Sequence, residues 1–277
     1  MQQLGGKELS FNNLNDLSAA RELVEEFERP ACVIVKHANP CGVAVADSIE
    51  EAYEHALASD PVSAYGGVVV LSHPVSAELA GRISDQFVEV LFAPGYEDAA
   101  VDVLRAKEAL RILESAERRG APAAEREFRR VIGGLLAQER DAVDEDREAM
   151  AVLCGEPGET AWDDLLFAWR VCRHVTSNAI VIAKGLRTIG IGAGQMSRVD
   201  AVRLALEKAR EHGHELAGAV LASDAFFPFA DGPALALERG VTAIIQPGGS
   251  KRDAEVVAAV EAAGAAMVFT GRRHFRH

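Results

Sequence analysis

The sequence predicts an α/β protein made of two α/β halves. Short apolar runs rich in Val and Ile, typical of buried strands, alternate with longer segments whose apolar residues recur at helical spacing. Gly, Pro and Asn follow most of these runs, where they would end a strand or a helix. At 277 residues, with 49% hydrophobic and 26% charged residues, the chain can bury a substantial core. Alternating strands and helices favour a mainly parallel sheet covered on both faces.

The first half opens with a helix that Asp16 or Ser18 could cap, followed after Pro30 by the first strand. Turn residues at Asn39, Pro40 and Gly42 predict a loop after that strand. In chain order the predicted elements are a helix over 17–27, a strand over 33–35, a helix over 49–58, a strand over 68–71, a helix over 77–84, a strand over 87–92 and a helix over 98–107.

Residues 116–159 are charged and irregular, with a predicted strand over 131–137. We interpret this region as the connection between two subdomains and place the boundary near residue 145. The first subdomain then covers residues 1–145 and the second covers 146–277. In the second, the predicted elements are a helix over 162–174, strands over 179–183 and 188–191, a helix over 199–211, a strand over 217–221, a helix over 233–239, a strand over 242–245, a helix over 253–263 and a strand over 265–269.

Charge and composition exclude several classes of function. The net charge of −13 argues against nucleic acid or an anionic membrane as a partner. No apolar run is long enough to span a bilayer and the N-terminus does not resemble a signal peptide, so we expect a cytoplasmic protein. The four cysteines are widely spaced without a CxxC pair, which predicts neither a zinc cluster nor a disulfide framework.

The most informative stretch is the Lys36-His37 pair at the end of the first strand. The carboxyl end of a core strand is where α/β proteins usually place their ligands. Histidine titrates near neutrality and can accept a proton as general base, and an adjacent ammonium can stabilise an oxyanion. A lysine in water beside a hydrogen-bonded histidine would leave the same pattern, so the pair alone does not decide between these interpretations.

Four further segments fit either a ligand-binding or a purely structural role. Gly190 to Gly194 form a glycine-rich segment before Arg198, which suits an anion or a tight turn, although its GxGxG spacing is not that of dinucleotide folds. Residues 247–252 place two basic residues beside a helix start. The aromatic cluster over 226–229 suits core packing or ligand stacking. The basic C-terminal residues 271–277 could be a frayed tail or part of a site.

Taken together, eight motifs in one order resemble the AICAR transformylase domain of the bifunctional purine-biosynthesis enzymes. They span nearly the whole chain, and a series of this length is far more specific than any one of its members. The motifs are KHANPCGVA from Lys36, SAYGG from Ser63, FVEVLFAPGYE from Phe87, TSNAIVIAKG from Thr176, TIGIGAGQMSR from Thr188, SDAFFPFADG from Ser223, IIQPGGSKRD from Ile244 and the terminal RRHFRH.

The resemblance implies formyl transfer from 10-formyltetrahydrofolate to the 5-amino group of AICAR, which gives FAICAR and tetrahydrofolate in IMP biosynthesis. By this resemblance His37 is the proton acceptor and Lys36 stabilises the transition state. The positions that match the family's AICAR contacts are Asn13, Gly66, Glu89, Asn178, Arg198, Arg273 and Phe275. The positions that match its folate side are Val199, Phe226, Asp231, Ser250 and Lys251. Some family members carry Asp where this chain has Glu89.

The family fold is a pair of cytidine-deaminase-like α/β/α units, and the chain lacks the HxE and PCxxC signature of a zinc site. The resemblance also implies a homodimer with shared sites and, in some members, a potassium ion near Asn178 and Asp224. The sequence contains neither the family's cyclohydrolase domain nor its RYGxNPHQ segment, so we expect weakened AICAR affinity or a separate cyclohydrolase as partner. One alternative is a non-catalytic folate- or nucleotide-binding module. Another is a zinc deaminase, which the absence of the zinc-ligand signature from the sequence argues against.

Overall fold

The computed structural model of this chain describes residues 1–117, 125–141 and 147–277. Within them lie two six-stranded sheets, each with helices on both faces, which confirms the predicted α/β class. The predicted subdomain boundary between residues 145 and 146 lies outside the described residues and stays a prediction. The assignment of each half to the cytidine-deaminase-like fold also stays a prediction.

Most elements of the first half form where Val-rich runs and capped helices predict them. Its elements are β1 (Gln2–Gly5), α1 (Phe11–Val24), β2 (Ala31–Lys36), β3 (Asn39–Val45), α2 (Ile49–Ser59), α3 (Pro61–Ala64), β4 (Gly67–Leu71), α4 (Ala77–Ser84), β5 (Val88–Ala93), α5 (Asp98–Arg105) and β6 (Arg111–Glu114). All five residues of β4 are buried, as expected for a strand covered on both faces.

The second half follows after a hairpin of two exposed strands, β7 (Arg126–Val131) and β8 (Gly134–Glu139), and a short 3-10 helix at Arg147–Ala149. Its remaining elements are β9 (Ala151–Cys154), α6 (Glu159–Arg173), β10 (Ile180–Ala183), β11 (Thr188–Gly192), α7 (Arg198–Glu211), β12 (Val220–Ser223), α8 (Asp231–Leu237), β13 (Ala243–Gln246), α9 (Asp253–Ala262) and β14 (Ala266–Phe269).

The two sheets have the same topology. The strand order is β1-β6-β5-β4-β2-β3 in the first sheet and β9-β14-β13-β12-β10-β11 in the second. In both, the successive pairs are antiparallel, parallel, parallel, antiparallel and antiparallel. The prediction of mainly parallel sheets is therefore wrong. Strands β2 with β3 and β10 with β11 are joined by tight turns, and short turns connect antiparallel neighbours.

Other differences from the prediction have local causes. The single strand expected over 131–137 is a hairpin, because the chain reverses at Ile132-Gly133 with Gly133 at φ 86°. Helix α1 begins at Phe11 rather than residue 17, because Ser10 caps it in a capping box with Asn13. Strand β12 begins three residues later than expected, after Gly218 adopts φ 78°.

The core is layered. Helices α1 and α6 lie between the inner faces of the two sheets in one apolar cluster, where the rings of Phe27 and Phe167 are 5.5 Å apart. Helices α2, α4 and α5 cover the outer face of the first sheet, and α7, α8 and α9 cover that of the second. Along the described residues, no helix is long and apolar enough to cross a membrane.

The halves also touch through the edge strands β3 and β11. The Val45 amide donates to the Leu186 carbonyl at 2.9 Å, and the Val43 amide donates to Thr188 Oγ1 at 3.0 Å. This contact fixes the end of the second sheet beside the β2–β3 hairpin of the first, so residues from both halves can line one site.

Candidate active site

The Lys36-His37 pair lies at a two-residue hairpin turn. Lys36 ends β2 and pairs with Asn39 at the start of β3, while His37 and Ala38 form the turn with φ values of 55° and 61°. The prediction of a loop from Asn39 onward is wrong, because the chain reverses at once and continues as a strand. Pro40 is tolerated there because β3 is an edge strand with a register irregularity beside it.

Asp16 holds this turn. Its Oδ2 accepts the His37 backbone N–H at 3.0 Å, and its Oδ1 accepts the Ala38 backbone N–H at 2.8 Å. The expectation that Asp16 or Ser18 caps α1 is wrong: Asp16 lies within the helix, and its side chain reaches across to the hairpin. The imidazole of His37 is exposed.

The ammonium of Lys36 donates to the backbone carbonyl of Tyr65 at 2.6 Å. Gly66 follows at φ 73°, and a Cβ on it would lie 3.2 Å from the ring of Phe87. Glycine is therefore favoured at this position on conformational grounds, since a side chain at this φ is strained. These contacts place the predicted catalytic lysine next to Gly66, one of the predicted AICAR contacts.

Two more predicted AICAR contacts bind each other. Asn13 is buried in the first turn of α1, and its Nδ2 donates to Glu89 Oε2 at 2.9 Å. Its Oδ1 accepts the Ser10 backbone N–H at 3.1 Å, which completes the capping box. The Asn13 amide is thus oriented from both ends, and Glu89 at the start of β5 is held in place.

These first-half residues lie at the amino edge of the parallel strands. Strand β2 is antiparallel to β4, so its carboxyl end lies beside the amino ends of β4 and β5. Our assumption that Lys36 and His37 lie at the edge where parallel α/β sheets usually bind ligands is therefore wrong. It fails because β2 runs opposite to the parallel strands.

The second half assembles a charged cluster at the carboxyl edge of β12. The guanidinium of Arg198, 8% exposed, forms an ion pair with the fully buried Asp224. It also donates to Asn178 Oδ1 at 2.7 Å and to Ser223 Oγ at 2.8 Å. The Ser177 hydroxyl donates to the other Asp224 oxygen, and the Ser177–Asn178 peptide bond is cis. The predicted AICAR contacts Asn178 and Arg198 are thus directly bonded.

One hydrogen bond links the two groups. The Thr176 backbone N–H donates to Asn39 Oδ1 at 2.9 Å, which ties the segment before Asn178 to the residue that closes the Lys36-His37 turn. A cleft of about 210 Å³ beside that turn is lined from both halves. Its lining includes Lys36, His37, Asn39, Ile191 and Lys208.

The basic C-terminal segment is ordered against the second half rather than frayed. The His274 backbone N–H donates to the Asp224 carbonyl, and the Ser177 backbone N–H donates to the Arg276 carbonyl, both at 2.9 Å. The predicted AICAR contacts Arg273 and Phe275 are exposed, with the guanidinium 5.0 Å from the ring. The terminal segment therefore passes directly over the charged cluster.

A larger cleft of about 630 Å³ lies between this segment, the β7–β8 hairpin and α1. Phe275 and Arg129 are among its lining residues. The buried ring of His274 helps to hold the segment, since Nδ1 lies 2.6 Å from Asp141 and the ring lies 4.5 Å from that of Trp169. Burial raises the pKa of Asp141, but the hydrogen bond and charge of His274 outweigh it and lower the pKa overall.

The predicted folate-side residues lie on neighbouring loops of the second half. Val199 is half-buried in the first turn of α7, while Phe226 and Asp231 flank the segment after β12. Ser250 and Lys251 follow β13. The guanidinium of Arg252 lies 4.9 Å from the ring of Phe229, which joins these two loops.

The glycines of these segments have packing roles that the sequence interpretation missed. Gly190 and Gly192 lie within β11 rather than in a loop, and a Cβ on either would lie about 2 Å from a backbone oxygen of α7. Gly42 plays the same role for β3 against α2. In the loop after β13, the N–H groups of Gly249 and Ser250 both donate to the carboxylate that begins α9.

Among the described residues, no group of three His, Cys, Asp or Glu side chains could hold a metal ion. The thiol of Cys41 lines the cleft beside Lys36, but burial and the charge of Asp60 raise its pKa to about 12. It is therefore protonated at neutral pH and a poor nucleophile. The cleft also contains Lys208, which is paired with Asp60 at 3.0 Å, so His37 and Lys36 are its groups best suited to proton transfer and charge stabilisation.

Sequence reasoning missed several residues that organise the site. Asp16, Asn39 and Ser177 hold neighbouring backbone or side chains, and none of them was singled out for that role. A signal for Asp16 does exist, because an equivalent aspartate, Asp164, lies at the same position of α6 and binds the equivalent turn. The equivalence of the two aspartates can be recognised only once the matching topology of the halves is known.

Two comparisons with known proteins point to the same family. The AICARFT/IMPCHase bienzyme family model matches residues 1–208. The bifunctional purine biosynthesis protein PurH of Sorangium cellulosum is 54% identical over 275 residues, which cover 99% of this chain and 52% of that protein. The chain thus spans about half the length of this curated relative. Because the family model matches more than half of the chain, the chain belongs to the AICARFT/IMPCHase bienzyme family.

Proposed function

We propose that this chain transfers the formyl group of 10-formyltetrahydrofolate to the 5-amino group of AICAR, giving FAICAR and tetrahydrofolate in IMP biosynthesis. Family membership supports the reaction class. The observation that carries the proposal is the Lys36-His37 turn, which presents an exposed imidazole beside a lysine ammonium. The reaction needs both groups, since the conjugated amine of AICAR is a poor nucleophile.

In the proposed reaction, the AICAR amine nitrogen attacks the formyl carbon while His37 accepts a proton from that nitrogen. The bond between the formyl carbon and N10 then breaks, and the proton passes from His37 to N10. Lys36 stabilises the negative charge that develops on the formyl oxygen. An ammonium has three N–H donors, and the bond to the Tyr65 carbonyl engages one and fixes the direction of the others.

For AICAR, we propose contacts from Asn13, Gly66 and Glu89 in the first half and from Asn178 and Arg198 in the second. The bonds Asn13–Glu89 and Arg198–Asn178 support this, because they orient amide groups before a ligand binds. We also propose AICAR contacts from Arg273 and Phe275, which lie on the terminal segment over the charged cluster. For the folate, we propose contacts from Val199, Phe226, Asp231, Ser250 and Lys251.

Three finer features are also part of the proposal. They are a cytoplasmic location, a homodimer with shared sites and a potassium ion near Asn178 and Asp224. We give the ion no role in the transfer, because the Arg198 guanidinium already supplies the positive charge on Asp224. A rise in thermal stability with potassium, compared with sodium at equal ionic strength, tests this feature.

The test is formyl transfer at saturating AICAR and 10-formyltetrahydrofolate, followed by release of tetrahydrofolate. We expect turnover that falls by about 10²–10⁴-fold in His37→Ala and about 10²–10³-fold in Lys36→Met. Lys184→Met is the matched control, since Lys184 binds the Ala217 carbonyl at 2.8 Å as Lys36 binds that of Tyr65. It should keep full turnover.

Equal losses in the two lysine variants would contradict the role of Lys36. Binding of both ligands without turnover would favour the alternative, a folate- or nucleotide-binding module that acts with a partner.

A further inference from the structure

The conformation of the His37 turn needs an explanation beyond its own residues. Both turn residues are left-handed, with φ values of 55° and 61°. Turns of this kind usually contain Asn or Gly, because a side chain at positive φ clashes with its own backbone. This turn contains His37 and Ala38, and neither has the freedom of Gly at positive φ. Some outside contact must therefore hold it.

Asp16 supplies that contact. Each oxygen of its carboxylate accepts one backbone N–H of the turn, at 3.0 and 2.8 Å, and hydrogen bonds to an ionised acceptor are the stronger kind. The contact is made to the backbone of His37 and Ala38. The position of the imidazole follows from that backbone, since the direction of Cα–Cβ is set by φ and ψ.

The second half repeats the arrangement without a histidine. Asp164 accepts the N–H groups of Gly185 and Leu186 at 2.9 and 2.7 Å, and these residues have φ values of 63° and 54°. Gly185 occupies the place of His37. The same pair of hydrogen bonds to an aspartate therefore holds both turns. One turn carries the proposed base, and the other has no side chain at that position.

We infer that Asp16 is a positioning residue for the formyl transfer proposed above. It holds the His37-Ala38 backbone in the left-handed conformation so that the imidazole meets the substrate amine in one orientation. Asp164 holds its turn in the same way, but only for the stability of the fold. The inference rests on the proposed function in so far as His37 is its base.

The test compares Asp16→Asn with Asp164→Asn in the formyl-transfer assay, with wild type and His37→Ala alongside. An amide has one acceptor oxygen and so can hold only one of the two N–H groups well. We expect similar losses of thermal stability in both variants. We also expect kcat to fall about 10- to 100-fold in Asp16→Asn with little change in KM, because small displacements of a reacting group cost this much. In Asp164→Asn, kcat should stay within about twofold.

A second substitution separates positioning from folding. Ala38→Gly removes the side chain that opposes the left-handed turn, so in the Asp16→Asn background it should restore kcat several-fold. Leu186→Gly in the Asp164→Asn background should leave kcat unchanged, and it should restore little stability, because Leu186 packs against the apolar core. Equal losses of kcat in the two aspartate variants, or no rescue by Ala38→Gly, would overturn the inference.

Two NMR readouts do not depend on turnover. Amide exchange at His37 and Ala38 should accelerate in Asp16→Asn, and the His37 imidazole should change from one set of resonances to several. If wild type and His37→Ala are equally inactive, the proposed function fails. The exchange and imidazole spectra then decide the positioning role by themselves, and unchanged spectra would refute it.

Discussion

The two hairpin turns of this molecule share one framework and differ at one position. Each turn follows a lysine that donates to a backbone carbonyl, through Lys36 in the first half and Lys184 in the second. Each is held by an aspartate from the preceding helix. The first turn carries His37 where the second carries Gly185. The proposed base His37 thus occupies a position that the second turn fills with a residue lacking a side chain.

The halves also differ in the edge of the sheet that carries their candidate site. In the first half, the Lys36 turn and Glu89 lie at the amino edge of the parallel strands. They are held by hydrogen bonds in which only one partner is a charged group. In the second half, Arg198 and Asp224 lie at the carboxyl edge as a buried ion pair. Identical topology therefore permits two different sites.

The largest expected effect comes from making the first turn like the second. His37→Gly should lower formyl transfer by about 10²–10⁴-fold, because the proposed base is lost. The free energy of unfolding should stay within about 1 kcal/mol of wild type, since glycine adopts φ 55° readily. Steady-state turnover and urea denaturation measure the two quantities. Turnover within tenfold of wild type would break the comparison.

The next largest effect concerns the interactions that stabilise the candidate-site edges of the two sheets. Arg198→Ala should lower the free energy of unfolding by about 3–5 kcal/mol, because it leaves the buried charge of Asp224 without its partner. Glu89→Gln removes a charge from a partly exposed hydrogen bond and should cost about 1 kcal/mol. Urea denaturation of both variants checks this. Equal costs would show that the two edges are not held differently.

Acid should weaken the contact between the halves. Glu26, beside α1, accepts from Arg173 on α6 at 2.5 Å and contacts the adjacent His174. Burial raises the pKa of Glu26, but the hydrogen bonds and charges of His174 and Arg173 outweigh it and lower the pKa from 4.5 to about 2.

Because the pKa is lower in the folded state, the stabilisation is present above pH 4.5 and is lost as the pH falls toward 2. We expect a loss of about 2–3 kcal/mol from this group over that range, measured by urea denaturation at several pH values. Glu26→Gln is the control. If it shows the same pH dependence as wild type, the loss comes from other carboxylates.

The smallest effect concerns the reverse exchange. Gly185→His places a side chain at φ 63° and should lower the free energy of unfolding by about 1–2 kcal/mol. Turnover should not change, since this turn carries no proposed catalytic group. Thermal denaturation and the formyl-transfer assay measure the two effects. A stabilised variant would mean that the left-handed conformation costs the second turn nothing.

Much of the fold could be predicted because its signals are local. The buried strand β4 is a run of Val residues after Gly67, and α4 begins and ends where its pattern predicts. The region between the halves misled the prediction, because an apolar run with a Gly-Gly pair inside it fits a strand and a hairpin equally well. The strand directions of the sheets could not be predicted either, since they depend on which distant strands pair.

The sequence by itself determined the α/β class and the two halves, and it supplied the proposal of which residues carry the chemistry. Tertiary structure alone decided how they are used: that His37 lies on a left-handed turn, that Asp16 holds it, and that Asn39 ties it to Thr176, 137 residues away. The reason is physical. Periodicity and propensity report what a residue does to its neighbours in the chain, whereas a carboxylate finds its N–H donors only after distant segments have packed together.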